Sequence, residues 1–375
     1  MKHVLFVLSA FLFFGGCKNQ DYLNVNYIKN QKEYTEKIKL DFISKNGDII
    51  SPYIDSVKFG YLDSLSFPDN NPDNQQSNIT YKPLDFNKKI EPCSPEYYAA
   101  YTIYNIQKDL DYYNRLFDNK IDFNSQKEYR NIAIVFGNTP LLSQPKIFCF
   151  KENSKPEPSL FYHEMGHRAF WYLQDDLGVK FGGLTIIHMG LLEYFNISLN
   201  NSPIEVDEDP NHPGLFMRDA SRMYKYPLDS TYTLRYTFER LKKAYKEELK
   251  DPDSDISKYL AACYSSYDDY ILDNIYDNHY GGMVLASTLW RIRENLGQEK
   301  TDNLVAKTIL ELNQFMEMRE TYYNGDLNSL SKNIDWHDVY YGLIRKDKEL
   351  YEGHDVNIIE NEFKKTGYPA HEIVI

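Results

Sequence analysis

Residues 159–168 read Ser-Leu-Phe-Tyr-His-Glu-Met-Gly-His-Arg. His163 and His167 are four positions apart. On a helix that spacing stacks the two imidazoles one turn apart on one face, close enough to share a metal ion. Glu164 follows the first His directly and borders the same cleft. This is the H-E-x-x-H pattern, in which two His bind zinc and the Glu is the general base towards an activated water. The neighbouring residues predict an amphipathic helix. Leu160, Phe161, Phe170, Trp171 and Leu173 supply a buried side, which leaves the face with His163 and His167 to a cleft. The plain alternative is a surface helix that happens to carry two His and a Glu.

A catalytic zinc usually has three protein ligands and one open position. One known completion places Gly three residues after the second His and His or Asp six after it. Those positions hold Phe170 and Leu173, so that completion fails. Residues 188–199 read His-Met-Gly-Leu-Leu-Glu-Tyr-Phe-Asn-Ile-Ser-Leu. Here Glu193 is a lone carboxylate among Leu191, Leu192, Phe195, Ile197 and Leu199. Burying it is costly unless it is paired or bound to metal; a solvent-facing Glu193 is the alternative. His188 competes as a ligand, but five residues before Glu193 it falls on a different helical face.

Together, His163, Glu164, His167 and Glu193 resemble the zinc site of the thermolysin-like metallopeptidases, whose third ligand is a Glu on the next helix. That family commonly carries an Asp four residues after this Glu. Here the position is Ile197, with Asn196 one earlier, so the orientation of a ligand His comes from elsewhere. Residues 273–297 extend the resemblance. His279 stands just before a helix rich in small and apolar residues, similar to the His-x-x-Gly pattern of fungalysin-type peptidases, with Leu289 and Trp290 following. The resemblance implies that His279 donates to the oxyanion of the tetrahedral intermediate, as a His fixed at a helix start can. Asp273 and Asp277 are both candidates to orient it. In the stretch Gly214-Leu-Phe-Met-Arg218-Asp219 the resemblance implies that Arg218 hydrogen-bonds a substrate carbonyl; a surface salt bridge is the competing reading.

The first residues predict an exported chain. Lys2 and His3 precede an apolar run from Val4 to Phe14, then Gly15, Gly16 and Cys17. That is a charged start, a short apolar segment and small residues before Cys, a signal peptide rather than a membrane span. The segment resembles a bacterial lipobox, which implies lipidation at Cys17, a membrane anchor, and a place in the cell envelope facing the periplasm or the exterior. Three further cysteines, Cys93, Cys149 and Cys263, allow at most one disulfide. With 42 Lys and Arg against 55 Asp and Glu, the net charge is −13. No basic stripe appears, so nucleic acid is a poor partner.

The 375 residues suffice for one large or two ordinary domains. Residues 18–35 read as a polar tether and 36–95 as short strands and loops, the acids of 68–78 forming a solvated surface loop. Calcium is conceivable but not assignable, because no EF-hand spacing is present. Ser94-Pro95-Glu96 opens a helix through about Phe117. Residues 132–136 and 146–150 read as strands. The second resembles the edge strand on which thermolysin-like enzymes lay an extended substrate; an interior strand is the alternative. Helices are expected over 232–249, 301–319, 334–349 and 356–365.

The domain reading is a signal peptide over 1–17, a tether and β-rich region over 18–95, a catalytic N-terminal lobe over 96–200 and a helical C-terminal lobe over 201–375. The expected fold class is α+β, a thermolysin-like two-lobe metallopeptidase. Its mixed-sheet lobe carries the H-E-x-x-H helix. The expected function is a zinc endopeptidase with one catalytic Zn2+ acting on peptide or protein substrates. Two alternatives stand: a non-catalytic binding lipoprotein with a peptidase fold, and a glutamate zincin acting on glycoproteins.

Overall fold

Ser94 accepts a hydrogen bond from the Tyr97 backbone N–H at 3.1 Å and Pro95 takes the first helical position, which starts α1 (Pro95–Leu116) where the sequence places it. The structure, a computed structural model, describes residues 21–29, 32–66, 76–136, 146–150, 158–181, 186–204, 219–221, 223–224, 250, 278–322, 334 and 336–367. Cys17, Arg218, Cys263, Asp273, Asp277 and the helix expected over 232–249 lie outside the described residues, as does most of the loop over 68–78.

The fold is mixed α+β. A hairpin of β1 (Tyr22–Lys29) and β2 (Lys32–Lys39) forms a two-stranded antiparallel sheet. Four strands, β3 (Ser56–Ser66), β4 (Gln76–Lys82), β5 (Asn131–Phe136) and β6 (Ile147–Phe150), form a mixed sheet in the order β4-β3-β5-β6. β3 runs antiparallel to β4 and parallel to β5, and β6 is parallel to β5. The hairpin corrects the reading of residues 18–35 as a tether. Leu23, Val25 and Ile38 are buried in the core. The period-two spacing of Leu23 and Val25 in β1 was masked by the polar residues on the other face.

Aromatic side chains bind the sheet to the helices. Phe59 and Phe136 meet edge to face at 4.8 Å, and Tyr98 of α1 packs on Phe136 at 4.6 Å. Phe148 of β6 lies 5.1 Å from Phe161, on α2 (Pro158–Asp175). Such pairs contribute about 0.5–1.5 kcal/mol each beyond their area.

After α3 (Ile186–Leu199) the described chain resumes as helices: α4 (Asn278–Leu296), α5 (Gln298–Ile309), α6 (Leu312–Tyr322), α7 (Trp336–Tyr351) and α8 (Val356–Lys365). The single helix expected over 301–319 is thus two, broken at Leu310 and Glu311. α3 and α4 lie side by side and parallel: Ile186 meets Gly281, Gly190 meets Gly282 and Leu285, and Ser198 meets Arg293. Gly190 and Gly282 let the two backbones touch. A Cβ on Gly282 would stand 2.7 Å from the Gly190 nitrogen. The buried apolar residues form one continuous cluster from Leu23 to Phe363. Among the described residues no helix is long and apolar enough to cross a membrane.

Candidate metal centre

α2 carries His163, Glu164 and His167, and its far side is anchored in two ways. Phe161, Phe170 and Leu173 are fully buried. Arg168, also fully buried, donates to Gln126 Oε1 at 3.1 Å and to the Phe123 carbonyl at 3.1 Å. Burial pushes the Arg168 guanidinium down to about 10. A cation with only neutral acceptors around it is an expensive anchor, and it fixes the rotation of α2 about its axis. Trp171 is not on the buried side as expected. It stacks on His167 at 5.6 Å and on Tyr129 at 5.7 Å. Positions 163, 167 and 171 follow one helical stripe, so Trp171 shares the face of the imidazoles.

The two Nε2 atoms of His163 and His167 lie 3.1 Å apart. Two nitrogens bound to one tetrahedral zinc at about 2.0–2.1 Å would be about 3.4 Å apart, so the pair needs little movement to share an ion. Without an ion the same contact is a hydrogen bond, with one Nε2 as donor. α3 brings Glu193 alongside. Its side chain is 0 % exposed, and Oε2 lies 3.6 Å from His163 Nδ1. Glu193 is therefore buried, not solvent-facing. Asn196 donates from Nδ2 to Glu193 Oε2 at 3.4 Å, and the Tyr113 hydroxyl donates to Asn196 Oδ1 at 3.4 Å. Among the described residues no three such side chains already stand around one point at ligating distance. The donor set of two converging imidazoles and a buried carboxylate nonetheless suits zinc chemistry.

His188 is buried with its ring 5.7 Å from His167, between Phe170 and Phe181. It is a packing neighbour of the second His. Glu164 is 7 % exposed. Burial pushes its carboxyl up to about 7, with the His163 charge pulling the other way.

β6 is the last strand of the described sheet. Cys149 on β6 feels the Glu164 charge, and burial first and that charge second push its thiol up to about 12. A thiol held protonated is a poor nucleophile. Cys93 is an exposed free thiol. His279 is the second residue of α4, inside its first turn rather than just before it, beside the start of α3; its side chain is not among those described.

The sequence reading missed Tyr113, Arg168 and the Trp171 stack. Only Trp171 carried a usable signal, its four-residue spacing from His167. Comparison with family models, with curated proteins and with solved structures finds no match to this chain.

Proposed function

We propose that this chain is a zinc-dependent endopeptidase of thermolysin-like two-lobe architecture, exported and anchored through Cys17 at the cell envelope. One observation carries the reading: the His163 and His167 Nε2 atoms converge at 3.1 Å, and the fully buried Glu193 Oε2 lies 3.6 Å from His163 Nδ1. His163, His167 and Glu193 would hold the ion. Zinc, when bound, acidifies a water and polarises the scissile carbonyl.

The protein's own groups supply the remainder. Glu164 takes the proton of the attacking water on a carboxylate oxygen and passes it to the leaving amine nitrogen. The outer edge of β6 offers main-chain donors and acceptors to an extended peptide, which is tolerant of sequence. His279 and Arg218 would donate to the oxyanion. Phe161, Phe170 and Leu173 keep water from the back of α2 and leave the imidazole face as the reactive side. A purely binding lipoprotein would have no use for a buried base at Glu164, and a structural zinc site would close with a fourth ligand.

The test is peptide hydrolysis by the purified protein against Glu164→Gln. The variant should lose about 10²–10⁴-fold in turnover while keeping its metal. Equal activity would remove Glu164 from the mechanism and this reading with it.

A further inference from the structure

The residues that hold Glu193 in place are Asn196 on the same helix and Tyr113 on α1, a helix that carries none of the proposed ligands. Glu193 has no charged neighbour on its own helix within one turn, yet it is fully buried. Its flexible side chain needs fixed donors to keep one rotamer. Asn196, one turn on, donates to Oε2, and Tyr113 on α1 donates to Asn196 in turn. An independent feature shows that this contact is built into the packing. A Cβ on Gly166 would stand 2.9 Å from the Tyr113 hydroxyl, 3.1 Å from Asn196 Oδ1 and 3.0 Å from Leu192 Cγ. The Tyr113 hydroxyl and the Asn196 amide thus meet against the α2 backbone at Gly166, between the two His, in space that a side chain would fill.

We propose that Tyr113 and Asn196 are positioning residues that fix the Glu193 carboxylate against His163, and that the bare backbone at Gly166 makes room for the contact between them. The inference rests on the metallohydrolase reading above. Its physical content is pre-organisation. With the carboxylate held, less ordering entropy is lost when it engages an ion, and partners of this kind are typically worth about 10–100-fold in metal affinity.

The test measures zinc affinity by competition with a coloured chelator and the visible absorption of the cobalt(II) form. Asn196→Leu keeps the volume and removes the donor; Tyr113→Phe removes only the hydroxyl. Asn196→Leu should weaken zinc about 10–100-fold and shift the cobalt bands. Tyr113→Phe should move both in the same direction by less. A merely structural role would lower the unfolding midpoint and leave affinity and spectrum unchanged, which would overturn the inference. If Asn196→Leu does not fold, Tyr113→Phe decides by the same two readouts. A wild-type chain that binds no zinc would overturn the metallohydrolase reading and this inference together, whereas a zinc-binding wild type with unaffected variants would overturn only this one.

Discussion

Asp109 makes the sharpest stability prediction. It lies on α1, is 0 % exposed, and neither carboxylate oxygen has a hydrogen-bond partner among the described residues. Its surroundings are Lys108, whose ammonium is 3.3 Å from the Tyr162 hydroxyl, and the phenols of Tyr104 and Tyr162. Burial raises the Asp109 carboxyl well above the usual carboxylate range, and Lys108 offsets only part of this. A carboxyl whose pKa is raised by folding binds its proton more tightly in the folded state. Its contribution to stability is intact below the unfolded value of about 3.9 and is lost as pH rises through the folded value. Each unit of raise opposes folding at high pH by about 1.4 kcal/mol. Asp109→Asn removes the ionisation and should therefore be more stable than the wild type at pH 7. The gain should shrink towards zero near pH 4. Urea unfolding of both proteins at pH 4, 5.5 and 7 measures it. A variant less stable than wild type at pH 7, by a margin that does not change with pH, would show that the ionised carboxylate has a partner and would refute the reasoning.

Two further outcomes follow from the packing. Gly282→Ala gains about 1 kcal/mol of helix propensity but drives its Cβ into the α3 backbone at Gly190 and Met189; overpacking costs about 1–3 kcal/mol, so denaturant unfolding should show net loss, and a net gain would mean the helices separate freely. Asp302 accepts from Tyr194 and Ser198, each at 2.6 Å, and from Tyr112 at 2.9 Å, joining α1, α3 and α5. Asp302→Ala should cost about 1–3 kcal/mol for each hydroxyl it strands; an unchanged melting temperature would show that the hydroxyls find other acceptors.

What the sequence made legible was local or periodic. The Ser94-Pro95 start of α1, the core strands β5 and β6, and the helix face of His163 and His167 each follow from a few neighbouring residues. Glu193 was legible because an acid in an apolar run must be accounted for. The hairpin at 22–39 was missed because one polar face hid three core residues. The break at Leu310 and Glu311 was missed because no Gly or Pro marks it; Glu311 instead meets Lys346 from α7, a contact that depends on the tertiary fold. For the same reason Tyr113 could not be tied to the site. It lies 83 residues from Asn196 in sequence, and only the packing of α1 across Gly166 brings the two together.

Under the proposed function two imidazoles of α2 and one carboxylate of α3 grip a single ion. The decisive measurement is the metal content of the purified chain after dialysis against zinc. The wild type should hold about one zinc per chain and His167→Ala almost none, as expected when one of three ligands is lost. A wild-type chain that emerges without zinc, or a His167→Ala chain that keeps a full equivalent, would contradict it.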